Sequence, residues 1–312
     1  MAILGIDRIT YGVEDLARCR RFFLDWGLKL VREADRELDF ETLNGCEVFL
    51  RHLDDARLPA AIEAGPTMRR VTWGVESIAD LDRLRRSLGA AATFDEAEGT
   101  LRAMDANGMG IAFRVTRKRA IDAKGVPVNA WGQPGRAINQ RSTIYERAEP
   151  VEVGHVVFFT DRLADVERYY VDKLGFCVSD RYPGRGLFLR CAPEGGHHDL
   201  FLLQLPQPKR GLNHVAFAVR DIHEVFGGGM HISRCGWETE IGPGRHPISS
   251  AYFWYVKNPA GALAEYYTDE DQLDGAWQPR EFQPSPEMFA EWAVVGGIDG
   301  KTRRVKSAPA KG

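Results

Sequence analysis

The chain has no apolar run near the roughly 18 residues of a membrane span. Its opening, MAILGIDRITYG, lacks the basic start and apolar stretch of a secretion signal. Cysteine is scarce: Cys19, Cys46, Cys177, Cys191 and Cys235 are odd in number and lack paired spacing. That argues against a disulfide framework and for reduced thiols in a cytoplasm. Charge of one sign is lacking too. A net charge of −3 gives no footprint for nucleic acid or an anionic membrane. What is present is ordinary globular material, 44% hydrophobic and 27% charged, in 312 residues. Two compact domains acting on a small molecule are the expectation.

One short pattern occurs four times: RITYGV from Arg8, RVTWGV from Arg70, HVVFFT from His155 and HVAFAV from His214. Each copy leads into a helical-looking stretch and then into further strand-like runs. The third reads VGHVVFF, a helix around LADVERYYVDKL, then GFCVSDR, GLFLRC and DLFLLQL, in the order β-α-β-β-β. The fourth gives LNHVAFAV, DIHEVFGGGM, WETEIGPGRH, AYFWYVKNP and ALAEYYT. Its helix is expected to end at Gly227, Gly228 and Gly229, because consecutive glycines are poor helix formers. Two such modules, each too small to bury its own sheet, would pair into one curved unit.

The expected class is therefore α+β: four βαβββ modules in two similar domains, each a curved, partly open mixed sheet with helices outside. Residues 1–118 form the first domain, 119–150 a polar linker rich in Pro and Gly, and 151–272 the second domain. Residues 273–312 are an extension packed on the surface, ending in a disordered basic tail, KTRRVKSAPAKG.

The first letter of the repeat carries the chemistry. Alternation in LNHVAFAV sets His214, Ala216 and Ala218 on one face and the bulkier Val215, Phe217 and Val219 on the other. His155 begins the matching strand, so pseudo-symmetry brings the two imidazoles near each other. In ALAEYYT, Glu265 is a carboxylate in a mostly apolar strand, awkward to bury without a cation. Two histidines and a carboxylate form a facial triad suited to non-haem Fe(II) with open positions. The first half serves as the control. Arg8 and Arg70 replace the histidines, and aligning DANGMGIAF on NPAGALAEY sets Ala112 against Glu265. All three ligand positions are lost together there.

The segment GRHPISSAYFWYVKNPAGALAE, with Gly244, His246, Tyr255, Asn258, Pro259, Gly261 and Glu265, resembles the signature of type I extradiol ring-cleavage dioxygenases. These belong to the vicinal oxygen chelate superfamily, and the resemblance covers residues 1 to about 272. It departs at Trp254, where the pattern has a smaller apolar residue; a changed wall or packing contact is expected. The resemblance implies that His155, His214 and Glu265 hold Fe(II), with Mn(II) suiting the same set. It makes His246 and Tyr255 groups that hydrogen-bond the bound diol. It also implies a catalytic histidine shortly before the second ligand, for which GGHHDLF offers His197 and His198, the latter the closer match. The implied reaction is oxygen-dependent cleavage of a catechol beside its diol, in a homo-oligomer, with no nucleic-acid or membrane partner.

Two rivals share the fold. A glyoxalase-like isomerase needs a fourth protein ligand on a strand of module three, where Gln204 is available. A metal-free antibiotic-binding protein needs no triad. His52, His223 and His231 read as surface residues, Arg245 as a solvated loop residue, and GPGRH as no phosphate loop because it does not join a strand to a helix. Trp254, Phe253 and Phe188 are expected to shape the pocket.

Overall fold

A computed structural model describes residues 3–295; the basic tail lies outside the described residues. The first module is β1 (Ile3–Val13), α1 (Leu16–Asp25), β2 (Lys29–Ala34), β3 (Glu37–Glu41) and β4 (Glu47–His52). The second is β5 (Thr67–Val75), α2 (Ile78–Leu88), β6 (Thr93–Asp95), β7 (Thr100–Met104) and β8 (Gly110–Val115). A small hairpin, β9 (Asn129–Ala130) and β10 (Gln133–Pro134), interrupts an otherwise irregular connection.

The third module is β11 (Glu152–Phe159), α3 (Leu163–Arg168), β12 (Cys177–Tyr182), β13 (Gly186–Arg190), a short β14 (Gly195–Gly196) and β15 (Leu200–Leu203). The fourth is β16 (Gly211–Ala218), α4 (Ile222–Arg234), β17 (Thr239–Arg245), β18 (Tyr252–Lys257) and β19 (Leu263–Thr268). In every module the last long strand lies parallel beside the first, and first strands pair antiparallel across the module boundary. The β-α-β-β-β reading thus holds four times, in two mixed sheets.

The eight-stranded sheet ends on β2 and β6, which do not pair, so it stays open. Residues beyond 272 do more than lie on the surface. After β20 (Gln272–Leu273), β21 (Arg280–Glu281) joins β12, and after α5 (Pro286–Phe289), β22 (Trp292–Val295) joins β17. They extend the second sheet at both edges, to ten strands.

Alternation decides what each strand buries. Val215, Phe217, Ala264 and Tyr266 enter the large apolar core, while Ala216, Ala218 and Tyr267 form a separate small cluster on the other face. That core is continuous through both halves. Trp26, just past α1, stacks on Tyr266 at 3.6 Å between ring centroids, and the Tyr266 hydroxyl donates to the Trp26 carbonyl at 2.7 Å. Trp73 meets Phe176 edge-on at 5.1 Å.

One expectation fails. The helix α4 continues through Gly227, Gly228 and Gly229 to Arg234. Asp221 caps its start by accepting from Glu224 N–H at 3.0 Å. The glycines are there for close approach. A Cβ on Gly229 would collide with the Trp254 indole, and one on Gly227 or Gly228 with the backbone or side chains of Tyr145, Ala148 and Tyr266. Tertiary packing overrides the propensity cost of about 1 kcal/mol per glycine. Trp254 is accordingly a core residue, its Nε1–H donating to Thr239 Oγ1 at 2.9 Å, and not a pocket wall. Gly229→Ala should destabilise the fold by about 1–3 kcal/mol, although helix propensity alone predicts a gain. Urea unfolding checks the sign, and adding Trp254→Leu should recover most of the loss.

Candidate metal centre

In the antiparallel pair β11·β16, His155 lies opposite Ala216 and Val157 opposite His214. In the parallel pair β16·β19, Ala216 lies beside Glu265. Alternation points all three polar side chains to one face, and their donor atoms converge. Glu265 Oε2 is 3.2 Å from His155 Nε2 and 3.1 Å from His214 Nε2, and the two Nε2 atoms are 3.3 Å apart. Relative exposures are 4% for His155, 7% for His214 and 1% for Glu265.

Burial pushes the His155 imidazole down to about 4, only partly offset by Glu265. Burial works against the Glu265 carboxylate, yet the imidazoles of His155, His214 and His246 crowded around it hold it well below the usual range. At neutral pH the group is thus a carboxylate beside a neutral His155. Neither Glu265 oxygen has a partner of acceptable hydrogen-bond geometry, despite the short distances. One ligand atom from each of the three side chains lies within 4.8 Å of the others, close enough to share one ion. An uncompensated buried carboxylate costs several kcal/mol, and a cation bound by these three atoms removes that cost. His214 Nδ1 is 2.6 Å from Asn213 Oδ1, so its proton sits there and Nε2 is bare, as a ligand requires. The donor set fits a divalent ion of the iron group.

The first half shows the same register without the chemistry. Arg8 lies opposite Thr72, and Thr72 beside Ala112, as His155, Ala216 and Glu265 do in the second half. Arg8 is satisfied by Glu47 at 2.5 Å and Glu98 at 3.1 Å, so a salt-bridge network fills that position. Among the described residues one other group, Asp25, His231 and Cys235, brings ligand atoms together. Asp25 there already accepts from Trp237 Nε1–H at 2.8 Å and faces Arg21 Nε at 3.5 Å, so its charge is balanced without an ion.

Residues 152–266 match the Glyoxalase/Bleomycin resistance protein/Dioxygenase superfamily. These residues form a vicinal oxygen chelate domain. Over nearly the whole chain, sequence similarity runs to "Metapyrocatechase 2" of Cupriavidus necator, 29% identical over 302 residues, covering 93% of this chain and 89% of that protein. The Mn(II)-bound glyoxalase from Novosphingobium aromaticivorans superposes with a TM-score of 0.75 at 24% identity, covering 96% of this chain and 93% of that one. The 2,3-dioxygenase LapB from Pseudomonas sp. KL28 gives 0.70 at 19%, covering 91% and 98%. The two structural likenesses show that the fold spans both halves.

Around the triad of the vicinal oxygen chelate domain stand the other residues singled out in the sequence. His246 Nδ1 is 2.5 Å from the Phe289 carbonyl, which can only accept, so the proton is on Nδ1. His246 Nε2 then accepts from the Tyr255 hydroxyl at 3.0 Å and lies 3.7 Å from Glu265 Oε1. Burial, with Glu265 adding to it, pushes the Tyr255 hydroxyl well up, so it stays a donor. The His198 ring packs 4.1 Å from the His155 ring, while His197 turns its Nε2 to Asp180 at 3.0 Å.

Phe253 packs on His246 at 4.2 Å and Phe188 on His198 at 5.1 Å between ring centroids. Arg245 pairs with Glu291 at 2.5 Å. His52, His223 and His231 are half-buried at positions away from the triad. Gln204 is held elsewhere: its Oε1 accepts from Leu163 N–H at 3.1 Å, at the start of α3. The register equivalent of Glu265 in module three is Phe201, opposite Val157.

Sequence reasoning missed Phe289, Asp180 and Arg280. The first and third sit beyond the repeats, and the one available signal was the Ser-Pro helix start at Ser285. Glu265→Ala should abolish metal retention, and the intact chain should hold one ion; elemental analysis of both proteins checks each number.

Proposed function

We propose that the chain is an extradiol dioxygenase that cleaves a catechol-type ring beside its diol, with Fe(II), or Mn(II) in the same set, held by His155, His214 and Glu265. The observation that carries the reading is the triad enclosed by His198, His246 and Tyr255. Its support in sequence is the metapyrocatechase similarity over 93% of the chain. Bound there, the ion would supply Lewis acidity toward the diol and positions for both diol and dioxygen.

The side chains do the rest. On binding, Tyr255 swings its one hydroxyl proton from His246 Nε2 to a diol oxygen, while the Phe289 carbonyl keeps the His246 ring in place. His198 faces the oxygen side and handles a proton there. Ala216, Ala218 and Ala251 pack with Tyr267 as an apolar cluster beside the triad, and Phe188 and Phe253 pack on His198 and His246, apolar surroundings suited to an aromatic ring. Catalysis is assigned to residues 151–272, with 1–118 a half that has lost its metal site and 119–150 the connection.

The glyoxalase reading draws on the Mn(II)-bound structural neighbour. Against it stand Phe201 at the fourth-ligand position and Gln204 turned to α3. Against a metal-free binding protein stands the orphaned Glu265 carboxylate. No helix among the described residues is long and apolar enough to cross a membrane. Five free thiols fit a reducing cytoplasm. Fully exposed Trp131, with Ile138 and Ile144 on the same connection, fits assembly with further copies of the chain.

Oxygen uptake with Fe(II)-loaded protein and a panel of catechols should show one dioxygen per ring and semialdehyde-type products. Cis,cis-muconates, or isomerisation without oxygen uptake, would overturn the reading. His246→Phe and Tyr255→Phe should keep their metal and lose roughly a hundred-fold in turnover. Metal analysis beside steady-state rates separates the two effects.

A further inference from the structure

His197 is wholly buried, yet both of its ring nitrogens are engaged. Nε2 lies 3.0 Å from Asp180 Oδ2 and Nδ1 lies 3.2 Å from His198 Nδ1. Asp180, also wholly buried, is gripped by a residue of the C-terminal extension. The Arg280 guanidinium donates to Oδ2 at 2.6 and 3.1 Å, and the Arg280 backbone N–H donates to Oδ1 at 2.7 Å. Arg280 is itself held by the Ile248 carbonyl at 2.9 Å.

Counting protons along this chain leaves one arrangement. A carboxylate beside Arg280 stays ionised and carries no proton, so the proton in the Asp180–His197 contact belongs to His197 Nε2. The charge of Asp180 is already balanced by Arg280. Glu270, which accepts from the His197 backbone N–H at 3.1 Å, is pushed up to about 8 by burial and carries no charge at neutral pH. A second cation on His197 would thus be buried without a counter-charge of its own, which is costly. Neutral His197 therefore has a bare Nδ1, and a bare nitrogen can only accept. The proton between the two rings must come from His198 Nδ1. Its Nε2, on the far side of a ring packed against His155, is left bare.

We propose that Arg280, Asp180 and His197 are positioning residues that lock His198 as the Nδ1–H tautomer, so that it meets its ligand as a proton acceptor. The chemical use of this rests on the dioxygenase reading. One proton leaves a substrate hydroxyl for His198 Nε2, the O–H pair stays on oxygen, and the imidazolium keeps its Nδ1–H on His197. The same proton can later return to an oxygen of the product.

The tautomer can be read without turnover, by long-range proton–nitrogen correlation on 15N-histidine protein, both metal-free and loaded with diamagnetic zinc. The expected spectrum shows His198 protonated at Nδ1 and bare at Nε2. The opposite pattern in the wild-type chain overturns the proposal, whatever the protein catalyses. Two variants test function by opposing shape to hydrogen bonding. His197→Phe keeps the ring and removes the acceptor; His197→Gln gives up the ring and restores an acceptor oxygen. His197→Gln should stay within a few-fold of wild-type kcat, while His197→Phe should fall roughly tenfold or more, both with unchanged KM and metal content. The reverse order would make His197 a packing residue and overturn the proposal. A protein inactive on every catechol, yet showing the expected tautomer, would sink the dioxygenase reading alone.

Discussion

A carboxylate placed at the centre of a sheet, out of water and beside a neutral His155, is the constraint around which the second half is organised. Glu265 cannot be protonated cheaply, because His155, His214 and His246 hold its charge in place. Nor can it be neutralised by a salt bridge, since those partners are imidazoles and burial keeps His155 uncharged. The demand for a cation follows from the strand register, which sets His155, Ala216 and Glu265 in one row with His214 beside it. His246 and Tyr255 then form a shell around an ion-shaped need.

The two halves solve one problem in two ways. Their repeated fold brings three positions together at the middle of each sheet, where polar groups must find partners. In the first half Arg8 meets that requirement with Glu47 and Glu98. In the second the same positions carry His155 and Glu265, which with His214 could hold an ion. The first half still supports the second through a shared core, because Trp26 stacks directly on the residue after Glu265.

Much of this was legible in the residues because a fourfold repeat makes each copy a check on the others. The histidine-for-arginine exchange and the Ala112–Glu265 alignment located the triad, and strand alternation gave its face. What stayed hidden depends on contacts distant in sequence. The different surroundings of His197 and His198 depend on Asp180 and on Arg280, which is about eighty residues further on. The Phe289 carbonyl that orients His246 comes from a segment that read as surface extension. The glycine run was misread because propensity is local, while Tyr145, Ala148, Trp254 and Tyr266, which require it, arrive from the connection and from other strands.

The Trp254 indole and Gly229 also set a distance. A Cβ at 229 would lie 2.1 Å from the Trp254 ring, so the ring rests directly on the backbone of α4. A helix with an ordinary side chain at this point would have to stand further off the sheet. The departure at Trp254 therefore does not enlarge the core at this point; the missing side chain in α4 makes room for the larger ring, and the helix is held close to β18.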